Sequence, residues 1–330
     1  MSTSTLCRRC IPALAIAVGL GGCAGATATG PFVPGAAAQS RPQALPLHGG
    51  FRMFAANRDG ASVVAFESTA NGNVAPVVTI AGSKTTLSQP DALTMDVSGK
   101  IYVANDGGTQ VAVFGPHANG NVKPARIIGG SNSNLGPTEG ILVDPSGDLW
   151  ASSYGNDDVT EYAAGASGNV SPIDTIAGGN TQLTEPLGMA MNAKGELFVA
   201  NGDASTIVVF AKGASGNATP LGVIGGGSTD LSKPFALAFD DRGRLLVADE
   251  NSGILVFSKG AIGDVAPVSW ITSVSYPAGV MGDSKGHIYA AEFGNDTIKE
   301  FAHSATGNAA PLRTIEGSYT TLDGPNSLAY

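Results

Sequence analysis

Asp91, Glu139 and Asn326 are the residues whose types and placement could hold a hard cation. Each sits one residue into an apolar, β-patterned run, in Pro90-Asp91-Ala92-Leu93, Thr138-Glu139-Gly140-Ile141 and Pro325-Asn326-Ser327-Leu328. Carboxylate and amide oxygens are the donors that Ca2+ and Mg2+ prefer. The matching positions of three further runs hold Leu187, Phe235 and Ala278, so oxygen donors would gather on one side of a site and apolar groups on the other. A second set of candidates falls in connections: Tyr154, Asp157, Asp158, Asp249, Glu250, Trp270, Tyr276, Glu292 and Phe293. Acidic loops draw cations, and aromatic side chains on loops suit sugar or peptide contacts. Turn formation is the commoner role for such Asp residues.

Other chemistries lack their residues. His117, His287 and His303 fall in turns on the side away from these candidates, and His48 precedes the repeats, so no histidine is placed for acid–base work or zinc. The one GxSxG match, Gly282-Asp283-Ser284-Lys285-Gly286, falls in an Asp-x-x-Gly turn between strands and not at a strand-to-helix elbow, and all three cysteines, Cys7, Cys10 and Cys23, lie near the N-terminus, so the body of the protein has no disulfide. A formal net charge of −9 disfavours nucleic acid as a partner.

The elements that must position these residues follow from internal repetition. Four marks recur: an apolar residue (Leu93, Ile141, Met189, Leu237, Val280, Leu328), a polar strand end (Asn57, Asn105, Ser153, Asn201, Asp249, Glu292), an aromatic (Phe66, Phe114, Tyr162, Phe210, Phe257, Phe301) and an isoleucine (Ile80, Ile128, Ile176, Ile224, Ile271, Ile315). Six copies, spaced by 48 residues over most of the chain and each with four β-patterned runs, predict an all-β, six-bladed β-propeller of four-stranded antiparallel blades over residues 51–330. Asp-x-x-Gly turns such as Asp96-Val97-Ser98-Gly99 join first to second strands, and Gly-Asn pairs such as Gly120-Asn121 read as the turns between third and fourth. The first copy lacks a first strand and the chain ends in one, so residues 325–330 are expected to close the ring against the N-terminal blade. The spacing from first to second marks is 12 and from third to fourth is 14 throughout, whereas the other two connections shorten once each, around Asp249 and Trp270. Variation therefore falls on one face, here the upper face, which also carries the acidic connections.

The stretch PDALTMDVSGKIYVANDGGTQVAVF resembles an NHL-type repeat. That resemblance covers all six copies and implies a binding platform in most cases. The same architecture carries gluconolactonase-type hydrolases, streptogramin B lyase and peptidylglycine-processing lyases. Gluconolactonase-type enzymes gather Glu, Asn and Asp around a divalent ion, and Thr138-Glu139-Gly140 is similar to their Glu-Gly opening, so the resemblance implies Ca or Mg at Asp91, Glu139 and Asn326 as the alternative function. The two lyase classes use upper-face histidines, which this chain lacks.

Arg8 and Arg9 precede an apolar run from Ile11 to Leu20, the pattern of a signal peptide over 1–22. Leu20-Gly21-Gly22-Cys23 resembles the lipobox of bacterial lipoproteins, which implies lipidation of Cys23 and export to the cell envelope, attached to a membrane only by the lipid. Residues 23–50 read as an Ala/Gly/Pro-rich tether. The expectation is a monomeric, lipid-anchored binding or scaffold module that needs no cofactor and takes a protein, peptide or carbohydrate ligand. Cys23→Ala is expected to move the protein from the membrane to the soluble extracytoplasmic fraction, as read by fractionation and immunoblotting; a variant still bound to membrane would sink the lipid assignment.

Overall fold

The computed structural model describes residues 51–330; the signal segment, Cys23 and the tether lie outside the described residues. The described chain is 24 strands in six four-stranded antiparallel sheets, with two short 3-10 turns at Asp106–Gly108 and Phe293–Asn295. In five sheets the strands follow chain order, and in the sixth the last strand, Pro325–Ala329, precedes Arg52–Asn57, Ser62–Glu67 and Val78–Ile80. The sequence-predicted six-bladed ring is the fold.

The strands are short apolar runs because each blade is covered on both faces by its neighbours. Ile101–Asn105, Leu197–Asn201 and Leu245–Asp249 are buried along their whole length. The core is accordingly six apolar clusters, one between each pair of adjacent blades; Ile80 of the first blade, for example, packs with Leu93 and Val103 of the second. The repeated aromatic fills these interfaces, and Phe114, Tyr162, Phe210, Phe257 and Phe301 are fully buried. Toward the axis the innermost strands crowd together. A Cβ on Gly188 would stand 2.5 Å from the Phe235 carbonyl oxygen of the next blade, which explains glycine there.

Two devices close the ring. The innermost strand of the first blade is the C-terminal one, with Ala55 opposite Leu328 and Phe54 opposite Ala329. Leu328 is buried, whereas Tyr330 is 40% exposed and tilts against Phe51 with ring centroids 5.0 Å apart. The second device corrects the sequence-based view of the Gly-Asn pairs. They are not tight turns; each connection climbs the outer edge of the preceding blade, where Gly120 bridges Ile80 and Gly72 bridges Ile315. The following Asn or Asp then accepts a backbone N–H of that blade, as in Lys84 to Asn121 at 2.7 Å and Tyr319 to Asn73 at 2.7 Å. At the fifth blade the shortened connection lacks this latch, and Ser273 donates instead to the Ala309 carbonyl at 2.6 Å. The Asp-x-x-Gly turns do form as expected: Asp96 accepts the Ser98 N–H at 2.9 Å and Gly99 takes a φ of 79°.

Truncating Leu328 to Ala removes buried side-chain volume at the closure and is expected to cost about 2–5 kcal/mol. Deleting residues 325–330 should cost more, because it also exposes the edge of Arg52–Asn57. Thermal melts read both; an unchanged midpoint for the deletion would show that the ring does not depend on this strand.

Candidate functional site

The innermost strand of every blade contains a β-bulge at the residue behind its opening position. Pro90 pairs with Asn105 and Ala92 with Ala104, leaving Asp91 without an opposite residue. Glu139, Phe235, Ala278 and Asn326 are skipped in the same way. A bulge re-aims the side chain it leaves unpaired, and here these five residues line the upper part of a central channel of about 290 Å3. Leu187 is the exception: the irregularity in its strand covers Gly188 as well. Gly188 lines the channel, and the Leu187 side chain instead packs toward Gly202.

Asp91, Glu139 and Asn326 are therefore brought together as expected, joined by Arg58 and Asp106 from the upper-face connections. Arg58 donates through Nε to Asp91 Oδ1 at 2.5 Å and through Nη2 to Asp106 Oδ2 at 3.4 Å. Carboxylate oxygens of Asp91, Asp106 and Glu139 lie within 4.8 Å of one another. Asn326 turns its amide nitrogen, not its oxygen, toward Asp91, donating to the Asp91 carbonyl at 3.1 Å and to Oδ1 at 3.2 Å. Asp91 is 1% exposed, and its Oδ2 has no hydrogen-bond partner. One signal for Arg58 was legible: it is the first residue after its second strand, the register that Asp106 occupies in the next blade, so opposite charges meet across the blade boundary.

Electrostatics follow from this crowding. Burial, then the neighbouring Asp91 and Asp106 carboxylates, push Glu139 up to about 8. Burial raises Asp91 to about 6, against the opposing pull of Arg58. Asn326 presents N–H groups rather than an oxygen and so is not placed as a ligand; the third carboxylate beside Asp91 and Glu139 is Asp106, and the Arg58 guanidinium lies against Asp91 and Asp106.

The upper-face candidates divide by exposure. Asp249 and Glu292 are fully buried: Asp249 accepts the backbone N–H groups of Ser232 and Lys233 at 2.9 and 3.0 Å, and Glu292 accepts that of Ser275 at 2.6 Å together with the Thr297 hydroxyl. They tie the blade connection to the end of the second strand, as Asn105 and Asn201 do, and present no surface to a ligand. Asp158 is likewise buried and accepts from Asn134 at 2.8 Å. Phe293 is half-buried against Gly324. Trp270 lies on the outermost strand Ser269–Ile271, on the flank of its blade, and donates to the Ser252 carbonyl at 2.5 Å.

Tyr154, Asp157 and Tyr276 remain exposed, and Glu250 is half-buried. The Tyr154 hydroxyl shares a hydrogen bond with Glu185, a residue not singled out from sequence; desolvation and Asp203 raise Glu185 above the usual carboxylate range. Tyr276 bonds to Glu250, which also pairs with Lys233 Nζ at 2.6 Å. Tyr276 and Glu185 both adopt left-handed backbone, with φ of 55° and 49°, a costly conformation for residues other than glycine.

No known protein family matches this chain, and no curated protein does. Solved structures of the same fold do. One is a Bacteroides caccae protein of unknown function, with TM-score 0.59 and 11% identity over 84% of this chain and 97% of that one. Another is streptogramin B lyase, with TM-score 0.55 and 12% identity over 84% and 83%. A chain of the nidogen/laminin complex gives TM-score 0.58 and 13% identity over 84% and 97%. Identities this low speak for the propeller fold alone.

A carboxyl group whose folded-state pKa is raised contributes stability that is complete below its ordinary value and is lost as pH rises through the raised one. For Glu139 the window runs from about 4.5 to about 8. The melting temperature of the protein is expected to fall across that window, and Glu139→Gln should flatten the part above pH 7, beyond the raised values of Asp91, about 6, and Glu161, about 7. Parallel pH profiles of variant and parent would show that Glu139 is not protonated in the fold.

Proposed function

We propose that the protein is a lipid-anchored binding module of a bacterial cell envelope, which captures its ligand on the acidic upper face over the mouth of the central channel. The observation that carries this reading is the row of bulges that turns Asp91, Glu139, Phe235, Ala278 and Asn326 into a common opening. Five blades contribute side chains to one concave spot, the kind of place where ligands bind. Around it Tyr154 and Tyr276 stand exposed, each hydrogen-bonded to a carboxylate. Resemblance of the repeats to NHL-type propellers supports binding over catalysis. The lactonase alternative has less to stand on, because Arg58 and the Asn326 amide occupy the positions its metal would need.

The test is a binding screen of the mature protein against immobilised glycans and peptides, repeated with Tyr154→Ala/Tyr276→Ala. Both side chains are exposed, so the double variant should melt like the parent and hold the captured ligand at least tenfold more weakly. A ligand retained undiminished by the variant binds elsewhere and overturns the assignment to this face.

A further inference from the structure

The charge at the channel mouth does not balance. Three carboxyl groups, Asp91, Asp106 and Glu139, face one guanidinium, Arg58. Lys233 lies farther round the rim and is engaged by Glu250. Every donor close to Asp91 is already committed to one side of it: Arg58 Nε and Asn326 Nδ2 both reach Oδ1, and Oδ2 is buried with no partner. A buried carboxylate oxygen without a donor is costly, so the fold holds an acceptor at this spot that its own side chains leave unused. Below the mouth Ala236 and Ala238 line the channel together with Thr94 and Ser327.

An acceptor short of a donor and an excess of negative charge, above a channel wide enough for a chain, are together complementary to one chemical class. We infer that the mouth binds a primary amine in its ammonium form, the N–H groups directed at Asp91 Oδ2 and Glu139, with an alkyl chain lying in the channel below. The inference rests on the upper-face reading above and adds the chemistry of the ligand to it. An ammonium group supplies three donors and a single compact charge, whereas a divalent ion would bring two positive charges beside the Arg58 guanidinium. In the free protein the excess charge is relieved by a proton on Glu139, whose surroundings are Asp91, Asp106, Arg58, Lys233 and Tyr154. The amine takes over that role, so binding near neutral pH releases a proton.

Titration calorimetry of the mature protein with hexylamine, hexanol and hexanoate tests this, since the three match in length and differ in charge. Hexylamine is expected to bind at least tenfold more tightly than the other two. Its affinity should rise from pH 6 to pH 9, and its heat at pH 7 should scale with the ionisation enthalpy of the buffer. Asp91→Asn and Glu139→Gln should each weaken hexylamine at least tenfold, and Glu139→Gln should abolish the buffer dependence. Ala278→Phe, which fills the mouth, should block it. Hexanol or hexanoate binding as well as hexylamine, and blocked by Ala278→Phe, overturns the amine and leaves the binding face standing. Hexylamine binding untouched by Ala278→Phe lies outside the channel and overturns the inference, as does no binding of hexylamine at all. Failure of the face itself is read separately, in the Tyr154→Ala/Tyr276→Ala screen.

Discussion

In each blade the residue behind the opening position of the innermost strand has no partner on the second strand, and this skipped pairing is what converts a scaffold of buried strands into a shaped opening. Without it the inner strands would alternate regularly, and the side chain at that position would follow the pleat. With it the strand pairs normally below the bulge, so Leu93, Ile141 and Leu328 remain in the interblade core while Asp91, Glu139 and Asn326 face the axis. Packing and ligand chemistry are thus assigned to neighbouring residues of one strand.

The fold was legible because its marks answer to separate physical demands that recur with every blade. An aromatic fills each interface, Asp- or Asn-x-x-Gly makes the lower turn of the second to sixth blades, and isoleucine lies at or beside the end of each outer strand. The polar end of the second strand was legible as a mark and misleading as chemistry. Asp249 and Glu292 look like rim carboxylates in sequence, yet they do the work of Asn105 and Asn201, satisfying backbone N–H groups of the connection that lies over them. A charged residue in a register where asparagine serves as well is a sign of such a role. The Gly-Asn pairs misled for a related reason: sequence shows that glycine and asparagine favour a turn, and it does not show that the asparagine oxygen is spent on another blade.

At the mouth, the position of Asp91 and Glu139 could be read from the repeat, and their state of charge could not. That state depends on Arg58 and Asp106, which arrive from connections whose side-chain directions are set only once adjacent blades are docked. It depends as well on burial, which is a property of the assembled ring. The result is a site where acidic groups are crowded beyond what one guanidinium offsets, and where the fold tolerates a carboxylate oxygen with no donor. Stability is given up at that point.

Asn326 belongs at once to the mouth and to the strand that closes the ring. Its amide spans the boundary between the first and second blades, holding Asp91 from a segment laid down more than two hundred positions later in the chain. A nascent or prematurely ended polypeptide can therefore build most of its blades and still present no finished opening. The finished opening arrives with the last strand, so on the proposed reading the completeness of synthesis is a condition of recognition.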